Sequence, residues 1–140
     1  MKTLGKIVGV IGLLTIIAFT GAIGENKGKF DVAIEEELIE TTKQIKSQLP
    51  IMVDQETRLD TLMCLEKQMH YKYTMINASE NELDKEAFLN NIKKSLIKNH
   101  CSNENPIKML KMGVTYYYNY FDKNGVLIGT INIRKQNCGL

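Results

Sequence analysis

An uncharged apolar run from Ile7 to Gly24, introduced by Lys2 and Lys6, constrains this chain more than any other feature of it. A hydrocarbon core about 30 Å thick is crossed by roughly 17–25 helical residues. The run supplies 18, and Leu4 and Gly5 extend it beyond Lys6, so residues 4–24 read as a single membrane span in the inner membrane. A signal-peptide apolar region is shorter, ~7–15 residues. Cleavage is the rival reading. Thr20-Gly21-Ala22 sets small residues at the −3 and −1 positions of a signal-peptidase site near Ala22. Lys2, Lys6 and the terminal amine precede the run, whereas the acidic stretch Asp31–Glu40 follows it. The positive-inside rule then holds the N-terminus in the cytoplasm and sends the rest to the periplasm. The organisation expected is residues 1–24 as anchor or signal, 25–29 as linker and 30–140 as one periplasmic domain.

The leader also accounts for the charge. The chain carries a net +2, and Lys2 and Lys6 supply all of it. The remainder is balanced, so nucleic acid is not an expected partner. It is polarised along the sequence, with 7 basic and 13 acidic residues from Glu25 to Asp84, and 9 basic and 3 acidic from Lys85 to Leu140. Either the two halves neutralise each other within the fold, or Lys93, Lys94, Lys98, Lys108 and Lys111 form a patch for an acidic partner or anionic headgroups.

Outside the inner membrane, cysteines pair. Of Cys64, Cys101 and Cys138, the last two each close a predicted element in a polar, loop-like context, and they are the expected disulfide. Cys64 lies in an apolar strand pattern and reads as a buried thiol.

Periodicity gives the elements. Phe30, Ile34, Leu38, Ile45 and Leu49 share one helical face, and Pro50 ends that helix. Ile51 to Val53 reads as a short strand or an extended entry. Arg58–Leu65 and Met69–Ile76 alternate with a period of two and enclose a turn at Glu66-Lys67-Gln68. Ser79 to Glu82 fits a capping box, with Asp84 as the alternative cap for a helix carrying Phe88, Leu89, Ile92 and Leu96. Asn105-Pro106 starts a short helix that Gly113 stops. Val114–Phe121 and Val126–Arg134 read as strands around the turn Asp122-Lys123-Asn124-Gly125. Strands and helices come in runs, without strict alternation. The expected fold is α+β, an antiparallel sheet of about four strands packed with two to three helices.

Tyr71 and Tyr73 share one strand face, and Tyr116, Tyr118 and Tyr120 share another. Such a ladder either packs under a helix or stands exposed as a platform for a peptide or sugar. Together with Lys93, Lys94 and Lys98 it is the candidate binding surface. His70, His100, Cys64 and Cys101 are the soft-metal candidates, but their spacing matches no usual zinc pattern. The carboxylates cluster at helix starts and a turn, not in apolar runs that would tune them for acid–base work. No Walker A, G-x-G-x-x-G, H-E-x-x-H, G-x-S-x-G or C-x-x-C occurs. No enzyme and no cofactor is therefore expected. An enzyme would need a concave pocket collecting His70 or His100 with a carboxylate.

Leu49 to Asp54, Thr57 to Asp60, Tyr71 to Thr74, Cys101, Gly113-Val114, Tyr118 to Gly125 and Cys138 together resemble a family of small bacterial single-pass envelope proteins with no known activity. The resemblance implies an anchored or secreted bacterial protein keeping Cys101 and Cys138, and it assigns no functional residue. The expected role is a membrane-anchored periplasmic accessory protein with an envelope protein as partner. The alternative is a secreted or periplasmic inhibitor or immunity-type binding protein.

Overall fold

The computed structural model describes residues 27–140, so the expected anchor at residues 4–24 and the cleavage site near Ala22 lie outside the described residues. Among the described residues no helix is long and apolar enough to cross a membrane.

Helix α1 (Lys27–Lys46) begins inside the expected linker. It buries Ile34, Leu38, Thr41, Thr42 and Ile45 along one stripe. The chain continues as β1 (Ile51–Met52), β2 (Thr57–Leu65), β3 (Gln68–Met75), a 3₁₀ turn (Glu80–Glu82), α2 (Lys85–Ser102), α3 (Glu104–Lys111), β4 (Thr115–Phe121), β5 (Leu127–Ile133) and a second 3₁₀ turn (Lys135–Cys138). Asp84 caps α2 by accepting from the Ala87 N–H at 3.1 Å. Ser79 makes no side-chain cap, so the expected capping box does not form.

The sheet has five strands in the order β1-β2-β3-β4-β5. Every neighbouring pair is antiparallel except β3 and β4, which run parallel. The expectation of an antiparallel sheet of about four strands is corrected on both counts. The reason lies in the connection. Two hairpins, β2–β3 and β4–β5, are joined through α2 and α3, and a crossover of that length returns β4 alongside β3 in the same direction.

The helices cover one face of the sheet. Met69, Tyr71, Tyr73 and Met75 of β3 point into it, as do Tyr116, Tyr118 and Tyr120 of β4. In β2 the simple alternation fails. A register shift between Leu59 and Thr61 inserts one residue. Leu59 and Leu62 are consequently both buried, while Met63 and Leu65 are exposed on the opposite face. A one-residue slip moves every later side chain across a strand.

Two glycines answer to geometry. Gly125 holds φ +80° in the β4–β5 turn, where its N–H donates to the Asp122 carbonyl at 3.1 Å. At Gly129 a Cβ would lie 2.4 Å from Leu89 Cδ1 and 3.1 Å from Cδ2, so α2 sits directly on β5 there. The buried Asp122 carboxylate ties this end of the sheet together, accepting from the N–H groups of Glu80 at 2.8 Å, Asn124 at 2.8 Å and Val126 at 2.9 Å.

Cys101 and Cys138 form the expected disulfide, with Cα atoms 5.4 Å apart and a sequence separation of 37. It ties the end of α2 to the second 3₁₀ turn. A loop of that length contributes about 4 kcal/mol on the chain-entropy account. Replacing both cysteines by serine is therefore expected to lower the unfolding free energy in urea by about 4 kcal/mol. A loss below about 1 kcal/mol would show that packing alone holds the turn.

Candidate functional site

The tyrosine ladder is not a surface. Tyr116, Tyr118 and Tyr120 are each at most 1% exposed, as are Tyr71 and Tyr73. The parallel register sets Tyr71 opposite Tyr118 and Tyr73 opposite Tyr120. Their rings stack at 4.9 Å and 5.1 Å between centroids. Phe88 of α2 meets Tyr120 edge-on at 5.7 Å. Of the two readings of Tyr116, Tyr118 and Tyr120, packing under a helix holds and the exposed binding platform is corrected: the ladder is the core, and its alternation faces α2. Burial pushes all five phenols above their ordinary pKa, so the ladder stays protonated. The hydroxyls of Tyr73, Tyr116 and Tyr120 are buried without a hydrogen-bond partner among the described residues.

His100 belongs to the same core. It is fully buried, stacks on Tyr116 at 4.6 Å, and its Nε2 lies 2.6 Å from the Tyr118 hydroxyl. Burial lowers its pKa to about 4. His70 lies on the opposite, open face, stacked on Tyr117 at 4.5 Å with its Nε2 at 3.1 Å from Gln68 Oε1. Neither histidine is drawn to a carboxylate by these contacts, and no metal-binding group of His, Cys, Asp or Glu exists among the described residues. Cys64 is half-buried rather than buried. Its partial burial, with the Glu35 carboxylate adding to it, raises the thiol pKa.

The open face is largely paired within itself. Lys72 sits 4.8 Å above the Phe121 ring. Asn119 donates to the Tyr71 carbonyl at 3.1 Å and accepts from the Thr130 hydroxyl at 2.7 Å. Asp60 joins Arg58 to Thr74.

The three candidate lysines separate. Ile92 and Leu96 point into the core. Lys94 and Lys98, one turn apart, are exposed on the far side of α2. Lys93 instead lies on the flank above β5. There it joins Leu89, Asn90, Thr130, Ile131, Asn132, Arg134, Gln136 and Asn137 around a cleft of about 500 Å³. Neighbouring side chains of a strand point to opposite faces. With Leu89, Asn90 and Lys93 of α2 on one wall and Thr130, Ile131 and Asn132 of the edge strand β5 on the other, the cleft lies beside the outer edge of the sheet. Lys93 and Arg134 form no ion pair among the described residues, and no carboxylate lines the cleft. Asn137 shapes its end, accepting from the Arg134 N–H at 2.9 Å while its own N–H returns to the Arg134 carbonyl at 2.9 Å. The disulfide pins the same turn to α2.

Sequence reading found Lys93 but missed Arg134 and the amides Asn90, Asn132, Gln136 and Asn137. The available signal was the strand Leu127–Ile133, which has neither charge nor proline and runs straight into Arg134.

No protein-family model and no curated protein matches the chain. Solved structures share its fold. A candidate secreted protein from Pseudomonas aeruginosa superposes with a TM-score of 0.64 at 14% identity, over 82% of this chain and 98% of its own. The pilotin EpsS of the Vibrio vulnificus type 2 secretion system gives 0.63 at 14% identity, over 79% and 96%. The type II secretion pilotin AspS of Vibrio cholerae gives 0.53 at 15%, over 71% and 86%. At these identities the likeness is one of fold.

The buried histidine makes stability depend on pH. Its folded pKa of about 4 lies below the unfolded value of 6.5. The unfolded chain therefore takes up a proton first as pH falls. The stability from keeping His100 neutral is complete above pH 6.5 and is lost towards about pH 4, to a total of about 3 kcal/mol. Urea unfolding between pH 7 and pH 4 is expected to lose that much more in the parent than in a His100→Gln variant. Parallel profiles would contradict the assignment.

Proposed function

We propose that this chain is a docking module of the bacterial envelope, with no catalytic role, anchored or exported through residues 4–24. It holds a segment of a partner envelope protein in the cleft between α2 and β5. The observation that carries this reading is the cleft itself: a backbone edge, two cations without carboxylate partners, and four side-chain amides. That set recognises a chain and offers no base beside Thr130 or Lys93 to activate a nucleophile, no paired acid and base, and no metal ligands for bond-making. The fold adds support, since two of the proteins that share it are described as pilotins of type 2 secretion systems. The candidate secreted protein with the same fold is consistent with an address outside the cytoplasm.

The test is a photo-crosslinking amino acid placed at Thr130, at Lys98 and at Asn124 in living bacteria. A partner held in the cleft gives an adduct with an envelope protein from Thr130 and none from the other two. An absent adduct, or equal labelling from all three positions, contradicts the reading.

A further inference from the structure

We propose that the outer edge of β5 receives an extended, carboxylate-bearing segment of a partner protein, which adds to the sheet as a sixth strand beside Lys93 and Arg134. The proposal rests on the docking reading above and names the chemistry of the occupant.

An edge strand turns the N–H and C=O of every second residue away from the sheet, a template for another strand. Folded proteins blunt such edges with short strands, charges, prolines or bulges. The two edges of this sheet differ in this respect. β1 has two residues. β5 has seven, Leu-Ile-Gly-Thr-Ile-Asn-Ile, with no charge and no proline. Its register shift lies at the Leu127 end, opposite Tyr120 and Phe121. From Gly129 to Ile133 the pairing with β4 is regular, and on the other side no strand of the described residues pairs with it. The closing 3₁₀ turn packs on α2 and α3 and does not run along the edge as a strand.

Charge decides between occupants. Lys93 and Arg134 stand on the two sides of the cleft. The acidic helix α1 does not reach them. It packs on β2, three strand spacings from β5 in the sheet order. At about 4.8 Å per spacing that is ~14 Å, beyond the ~8 Å Debye length of physiological salt. A second copy of this chain pairing β5 with β5 would bring a strand with no acidic residue and leave the cations of both copies without carboxylate partners, which disfavours it. A strand carrying Asp, Glu or a terminal carboxylate satisfies both the edge and the cations.

The probe is a display library of seven-residue peptides, random at alternate positions of a Val/Thr frame, selected on the full oxidised chain. Selected peptides are expected to be enriched in Asp and Glu and to shift the amide resonances of Gly129–Ile133. Capping the peptide carboxyl terminus separates a terminal carboxylate from a side-chain one. Joint Lys93→Gln and Arg134→Gln substitution is expected to weaken binding by about tenfold or more, and Lys94→Gln to leave it unchanged. N-methylation of the peptide backbone on its pairing side is expected to abolish binding.

Four results would each overturn the proposal: no peptide selected, no acidic enrichment, affinity indifferent to N-methylation, or shifts confined to α2 or the open face. A concentration-dependent dimer protecting β5 without peptide would replace the partner by a second copy. A Thr130 crosslink to an envelope protein that binds as a helix would sink the strand proposal and leave the docking reading standing.

Discussion

The in-register stacking of tyrosines across β3 and β4 is the interaction on which the rest of the domain depends. Two hairpins that form locally meet only there. Tyr71 on Tyr118 and Tyr73 on Tyr120 fix their relative direction and register together. Stacked aromatic pairs contribute about 0.5–1.5 kcal/mol each beyond the area they bury. Their rings also make the floor on which Phe88 and His100 of α2 rest. Because the ladder needs a roof, α2 must lie across β4 and β5, and Leu89 must settle on a residue without a side chain, Gly129.

That arrangement spends the aromatic surface inside the domain and moves recognition to the margin. With α2 fixed over β5, its flank and the strand's free edge become the two walls of a cleft. The Cys101–Cys138 bridge fixes the cleft's end by tying the closing turn to α2. The tyrosine ladder therefore sets the shape of the site without lining it. The acidic helix α1 packs on β2, three strands away from that margin, and does not neutralise its cations.

The elements were largely legible in the sequence because their signals are local. Asp84 before an apolar stripe, Asn124-Gly125 between two alternating strands, and cysteines closing elements each act over a few residues. What the sequence hid was non-local. Period-two tyrosines at Tyr71/Tyr73 and Tyr116/Tyr118/Tyr120 fit an exposed ladder as well as a buried one. Only the crossover through α2 and α3 makes the pairing parallel and roofs it. The inserted residue near Asp60 reverses the faces of Met63 and Leu65, and no residue type announces it. The three lysines looked like one patch in sequence. Helical geometry divides them, and Arg134 gains meaning only once β5 is an edge.

Amide hydrogen exchange of the free protein shows whether β5 is an open edge on a rigid core. Slow exchange is expected for the amides of β3 and β4, limited by global unfolding. Within Gly129–Ile133 alternation is expected, with amides turned towards β4 protected and those turned outward exchanging rapidly. Uniform protection along β5 in the monomer would contradict it, because the edge would then be covered.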